Sequence, residues 1–101
     1  MSAFRLTRQA REDLKSIARY TQQTWGRKQR NKYLTLLDKR FSALAESRTL
    51  GHTCDEIRPG YRRFHEGRHV IYYRAIADGI EIVRILHASM DVERHLGPVS
   101  T

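Results

Sequence analysis

His69-Val70-Ile71-Tyr72-Tyr73-Arg74-Ala75-Ile76, Ala77-Asp78-Gly79 and Ile80-Glu81-Ile82-Val83-Arg84-Ile85-Leu86-His87 together form the stretch that decides the fold. β-branched and aromatic residues dominate both long runs, and such side chains favour extended backbone. Asp78-Gly79 suits a tight turn, because glycine accepts positive φ. The stretch is therefore read as an antiparallel hairpin, with Ala77 opposite Ile80 and Val70 opposite His87. In that register one face carries Val70, Tyr72, Arg74, Ile76, Val83, Ile85 and His87. The other carries Ile71, Tyr73, Ala75, Ile80, Ile82, Arg84 and Leu86. Both faces are largely apolar, whereas a sheet wetted on one side alternates more cleanly. A layer of helices covers one face. The second face calls for the chain's own ends, a second copy or a partner.

Working outward, residues 61–65 make another strand-like run, joined to the hairpin through Glu66-Gly67, a second tight-turn signal. Ile57-Arg58-Pro59-Gly60-Tyr61 carries a turn or bulge signal, and residues 49–55 are polar and aperiodic, as in a loop. Before them the period changes from two to that of a helix. Leu34, Leu37, Phe41 and Leu44 form a two-heptad seam, joined by Tyr33 and Ala45. Ala10, Leu14, Ile17, Ala18, Thr21 and Trp25 form an earlier stripe, and Gly26 breaks the pattern between the two. Thr7 offers a hydroxyl to cap the first helix, and residues 3–6 read as a short strand. Residues 89–96 have room for one more helical turn before Gly97-Pro98. The expected fold is α+β: an N-terminal strand and a two-helix hairpin packed on an antiparallel sheet of three to four strands, as a single domain over residues 1–101. Two layers are the practical limit for 101 residues.

The formal net charge is +8, and its location matters more than its size. Residues 1–48 hold 12 Lys/Arg against 4 Asp/Glu, while residues 49–101 hold 7 against 7. The excess belongs to the helical hairpin, either as a solvated face or as a docking surface for an acidic partner. Cys54 is the single cysteine, which excludes an internal disulfide and suits a reducing compartment. The N-terminus lacks the apolar run of a signal peptide, and no later run has membrane-spanning length. A soluble, cytoplasmic protein is expected. His52, His65, His69 and His95 lack metal-ligand spacing with Cys54 or with one another. No Gly-rich phosphate loop, paired catalytic carboxylates or activated serine is present, and no cofactor is expected.

Three stretches carry a resemblance. They are Leu6-Thr7-x-x-Ala10-x-x-Asp13-Leu14 running on to Ile17-x-x-Tyr20 and Trp25-Gly26; Ile57-Arg58-x-Gly60-Tyr61-Arg62 with His69-Val70-Ile71-Tyr72-Tyr73; and Ile85-Leu86-His87-x-x-Met90-Asp91. In this order, over roughly residues 4–91, the chain resembles the ParE/RelE toxin superfamily, and the third stretch is similar to the ParE branch in particular. The resemblance implies the toxin of a type II toxin–antitoxin system. ParE-like members carry no known nuclease site and poison DNA gyrase by trapping its cleaved DNA complex. RelE-like members cut messenger RNA in the ribosome with basic residues on the sheet and an acid/base group near the C-terminus, commonly a tyrosine. Members of both branches are neutralised by an antitoxin encoded beside them. The implied partners are thus a cognate antitoxin with an acidic, partly disordered segment and DNA gyrase. Indirect contact with DNA and a toxin–antitoxin assembly of higher order are further expectations.

RNA cleavage needs a base for the 2′-hydroxyl, an acid for the leaving oxygen and cations for the phosphate. Arg62, Arg63, Arg68, Arg74 and Arg84 offer cations and His87 a proton shuttle, with Arg84, His87 and Arg62 the catalytic set on that reading. Residues 88–101 contain no tyrosine, however, and the last one in the chain is Tyr73. The preferred expectation is therefore gyrase poisoning by a protein that is not an enzyme, and the alternative is the ribosome-dependent messenger-RNA endonuclease. Candidates for binding the antitoxin or the target are Arg8, Arg11, Arg19, Trp25, Tyr33, Leu37, Arg62, Tyr72, Arg74, Arg84, His87 and Met90. Trp25, beside Gly26, reads first as a core plug and second as a contact. Tyr72 and Tyr73 point to opposite faces, with core packing the first reading of each. His87 reads first as a strand-end ring bonded to Asp91 or to a backbone carbonyl.

Overall fold

A computed structural model describes residues 3–89 and Leu96. Strand β1 (Ala3–Leu6) leads into helices α1 (Arg8–Trp25) and α2 (Arg27–Glu46), followed by a short 3-10 turn at Arg48–Leu50. Strands β2 (His52–Thr53), β3 (Tyr61–Glu66), β4 (His69–Ile76) and β5 (Gly79–His87) complete the sheet. The α+β expectation holds, with two differences. The sheet has five strands in the order β1-β5-β4-β3-β2, and it is mixed, because β1 runs parallel to β5.

Each helix begins and ends for a local reason. The Thr7 hydroxyl accepts the Ala10 N–H at 3.0 Å, the expected cap, and donates to the Val83 carbonyl at 2.7 Å. One side chain thus starts α1 and pins it to β5. Gly26 alone links α1 to α2, with φ at +94°, a conformation that favours glycine. The α2 seam behaves as its spacing predicts: Leu37, Phe41 and Leu44 are buried, and Leu34 packs against them. With Ala10 and Ile17 of α1 they cover Ile71, Tyr73, Ile80, Ile82 and Ile85 of the sheet.

The register of the long hairpin corrects the expectation. His69 pairs with His87 and Val70 with Leu86, one step from the expected pairing; past a bulge, Ala75 pairs with Ile80 and Ile76 with Gly79. The turn is Ala77-Asp78, because Gly79 serves a different purpose. A Cβ on Gly79 would lie 1.7 Å from the Ala3 carbonyl oxygen, so only glycine lets β1 close on β5. The bulge falls where Tyr72 pairs with Arg84 and Tyr73 with Ile82, leaving Val83 as the extra residue. It puts Ile80, Ile82 and Ile85 into the helix-side core and sends Leu86 to the other side. The preceding turn slips likewise: Glu66 pairs with His69 around Gly67 at φ +58°.

The second apolar face is covered by the chain itself. Cys54 and Ile57, from the segment between β2 and β3, pack on Val70, Tyr72 and Leu86, with Tyr61 and Leu96 at the margin. Arg58 donates to the Leu96 carbonyl at 2.9 Å, holding that residue against the segment. The Tyr73 hydroxyl donates to the Arg48 carbonyl and accepts the Gly51 N–H, fixing the route from α2 into β2. Among the described residues no helix is long and apolar enough to cross a membrane. The helical turn expected over residues 89–96 lies outside the described residues apart from Ser89 and Leu96.

Gly79→Ala is expected to force β1 off β5 and to cost about 3 kcal/mol of stability, the upper range for overpacking against backbone. Urea denaturation monitored by circular dichroism checks this. An unchanged midpoint would show that β1 contributes nothing to the fold.

Candidate functional site

Two clefts meet where the helical hairpin overhangs the ends of β4 and β5. The first, about 410 Å³, is lined by Tyr20, Thr21 and Trp25 of α1, Gln29 and Tyr33 of α2, and Gly67, Arg68, His69 and His87. The second, about 480 Å³, runs along α1 past Asp13, Ser16 and Ile17 to Arg84, Ile85, Leu86 and Ser89, sharing Tyr20, His69 and His87 with the first. The two histidines stand at their junction because they are cross-strand partners. Their ring centroids are 5.6 Å apart, edge to face.

Both rings have hydroxyl partners. The Tyr33 hydroxyl lies 2.7 Å from His69 Nδ1 and 3.1 Å from the Glu66 carbonyl oxygen. Ser89 Oγ lies 2.7 Å from His87 Nδ1. Burial lowers the pKa of His69, and the neighbouring His87 lowers it further, against a smaller opposing pull from Asp13. Burial also raises the pKa of Tyr33, helped by the charge of Glu66, so its hydroxyl keeps its proton. The junction therefore favours a neutral His69 over an imidazolium.

Beside it lies an ion pair that holds the fold. Asp13 accepts Arg84 Nε at 2.8 Å, Arg84 Nη2 at 2.9 Å and the Ile85 N–H at 2.9 Å. Both side chains are largely buried, at 14% and 13% exposure. The bond to Asp13 raises the Arg84 pKa against the effect of burial. Arg84 is thus a permanently charged brace between α1 and the bulge.

A third feature is an apolar groove of about 320 Å³ between the helices and β1, lined by Phe4, Leu6, Leu14, Ala18, Leu34 and Phe41 with Lys15 and Asp38. Among the described residues no cluster of three or more His, Cys, Asp or Glu could hold a metal ion.

The structure sorts the candidates read from the sequence. Trp25 is not a core plug: it is 62% exposed on the rim of the first cleft, as Tyr20 is at 60%. α1 ends at Trp25, so the last turn of the helix overhangs the sheet. Leu37 and Tyr72 are withdrawn as contact residues, because the first is wholly buried under the helices and the second is buried beneath the β2–β3 segment. Tyr33 and His87 line the cleft. Arg62 donates instead to the Gly51 carbonyl at 2.7 Å, toward the β2 edge, so the triad Arg84, His87 and Arg62 does not converge. Arg74 pairs with Glu81 at 2.9 Å. Arg8, Arg11 and Arg19 are exposed on α1. Met90 and Asp91 lie outside the described residues. Arg68, offered as a cation for RNA, does line the first cleft, whereas His69, Tyr20 and Asp13 were missed as site residues. The corrected register is the signal that would have placed His69 opposite His87.

Comparison with known proteins agrees with this fold. The family model for the ParE toxin of the type II toxin–antitoxin system parDE matches residues 4–92. Toxin ParE1 of Caulobacter vibrioides is 39% identical over 97 residues, covering 96% of this chain and all of that protein. Toxin ParE1 of Mycobacterium tuberculosis is 40% identical over 96 residues, covering 94% of this chain and 98% of its own. A solved structure described as the chromosomal ParDE TA system from P. aeruginosa superposes with a TM-score of 0.72 at 21% identity, covering 86% of this chain and 96% of that one. At that identity the likeness concerns the fold alone.

Asp13→Ala leaves a largely buried guanidinium and the Ile85 N–H without their acceptor, and is expected to cost about 3 kcal/mol. Urea denaturation reads this loss, and a cost near zero would remove the brace from the account. The pH dependence follows from His69. Its pKa is depressed in the folded chain, so the unfolded chain binds more protons as pH falls through about 6.5. Stability is therefore fully present above that pH and is lost toward lower pH. His69→Gln is expected to flatten this limb, which denaturation midpoints between pH 8 and pH 5 would show.

Proposed function

The chain belongs to the ParE toxin family of type II toxin–antitoxin systems, and from that premise we propose that it poisons DNA gyrase by binding. On this reading the protein is not an enzyme. It acts in the cytoplasm, holding gyrase with its DNA cut so that reclosure fails and replication stalls. The supporting observation is the rim of the first cleft. Tyr20 and Trp25 stand more than half exposed beside Arg68, and Trp, Tyr and Arg are the residues that most often anchor a protein interface.

Neutralisation by a cognate antitoxin belongs to the same proposal. The apolar groove between the helices and β1 suits apolar side chains of an antitoxin segment, with acidic residues matching the basic hairpin. The solved neighbour, a ParDE TA system, supports such a partner. Assembly of several toxin and antitoxin chains is compatible with this arrangement.

One observation favours a second reading, the ribosome-dependent messenger-RNA endonuclease. His69 and His87 meet where the two clefts join, with Arg68 lining one and Arg84 the other. Two imidazoles beside cations can divide the acid and base roles of RNA cleavage. Against it, Arg84 is committed to Asp13, and the cations of the sheet half are balanced by its acids.

A pair of assays decides. With purified gyrase, supercoiled plasmid and ATP, the protein is expected to accumulate cleaved DNA, and Trp25→Ala to need about tenfold more protein for the same effect. In a translating extract it is expected to yield no codon-linked RNA cuts. RNA cuts lost on His87→Ala, with gyrase untouched, would establish the endonuclease instead.

A further inference from the structure

The charge excess of the hairpin is arranged in rows. Arg8, Arg11, Lys15 and Arg19 follow one another at intervals of three, four and four residues, which places them within an arc of about 80° on α1. The buried residues Ala10, Ile17 and Thr21 lie on the other side of the helix, so the row faces outward, with Arg11 on its flank toward the Leu6 carbonyl. It runs roughly 16 Å along the helix axis. On α2, Lys28, Lys32 and Lys39 fall within an arc of about 40°, again opposite the buried Leu37, Phe41 and Leu44. The outer surface of the helical layer therefore carries two cationic rows side by side.

Local structure does not account for these charges. Arg8, Arg19, Lys28, Lys32 and Lys39 have no ion-pair partner among the described residues, and Lys15 meets only the exposed Glu12, at 3.4 Å. Arg8 and Arg11 stand in the first turn of α1 and Arg27 and Lys28 in the first turn of α2, where the helix dipole disfavours cations, and neither first turn contains an acid.

We propose that this outer face is a docking surface for the phosphate backbone of duplex DNA. A straight row of cations on a rigid helix complements a rigid row of phosphates. The row contains no aromatic side chain on which a base could stack, which favours a duplex over a single strand. Its exposed neighbours Glu12, Ser16, Gln22 and Gln23 offer no apolar anchor for a folded peptide and nothing to insert into a lipid surface. The aromatic contact features lie elsewhere, on the cleft rim; Lys15 borders the apolar groove, and the exposed Leu36 lies beside Lys32 and Lys39. This surface therefore remains available while the cleft rim is occupied. The choice of DNA over RNA rests on the gyrase reading; the charge arrangement does not.

Fluorescence anisotropy with a labelled 20-base-pair duplex of arbitrary sequence tests this, using the full chain between 50 and 200 mM salt. Affinity is expected to fall linearly in log–log coordinates, with a slope near −0.9 for each phosphate contacted. The variant R8Q/R11Q/K15Q/R19Q is expected to bind about tenfold or more weakly at 100 mM salt and to lose about three units of slope. R8K/R11K/R19K, which keeps the charge, is expected to retain both. Circular dichroism establishes that each variant is folded. Equal binding by the glutamine variant overturns the proposal, as does binding to polyglutamate or to an RNA duplex as tight as to DNA. No gyrase enters this assay, so its failure is separable from failure of the poisoning reading.

Discussion

Everything in this structure depends on how α1 grips the bulge in β5. Thr7 donates to the Val83 carbonyl, and six residues later Asp13 gathers Arg84 and the Ile85 N–H. Val83 is the residue left over when the register shifts, so the clasp holds the hairpin at its irregular point. A regular β5 would put Ile80, Ile82 and Arg84 on one face and leave Ile85 on the other. The extra residue instead turns Ile85 into the helix-side core and Leu86 into the second cluster. It also brings His69 opposite His87, which a regular ladder running on from the Ala77-Asp78 turn would not do. One extra residue thus serves both the packing and the geometry of the cleft.

The same clasp divides the electrostatics. Acidic residues of the sheet half are spent on neighbouring arginines: Glu66 on Arg40, and Glu81 on both Arg5 and Arg74. Asp13, one of the few acids in the helical half, is spent inward on Arg84. Arg8, Arg19, Lys28, Lys32 and Lys39 have no such partner among the described residues and face outward, on the far side of the helices. The molecule presents three surfaces of different character: an apolar groove along β1, an aromatic cleft over the strand ends, and a polar cationic back. Each suits a different class of contact, and no side chain of the cationic rows contributes to the aromatic cleft.

The helices were legible in the sequence because their signals are redundant. The 34, 37, 41, 44 seam repeats twice, and Thr7 announces the start of α1 with a hydroxyl. The strands were legible as segments but not as a register. Gly79 shows why: a glycine needed for positive φ and a glycine needed for close approach of another backbone look the same in the sequence, and this one serves the second purpose. Residues 49–55 read as a loop and residues 57–61 as a turn because Cys54 and Ile57 follow no period, yet these two, with Tyr61 and Leu96, cover the second sheet face. Trp25 was misjudged because its helical phase fits the core while its position, in the last turn, carries it past the edge of the sheet. His69 was invisible as a site residue for as long as the pairing was one step out.

The parallel pairing of β1 with β5 has a consequence for synthesis. The contact between Thr7 and Val83 spans 76 positions, and Ala3 can close only over Gly79. Contacts of such range form late, because the loop they close must first be ordered. On a translating ribosome, α1 and α2 emerge early but lack the strand that completes their core until β5 has left the exit tunnel. The chain therefore passes most of its synthesis as an unfinished hairpin without the cleft, since His69 and His87 are not yet joined. Whatever contact depends on the cleft can therefore begin only once the sheet is finished.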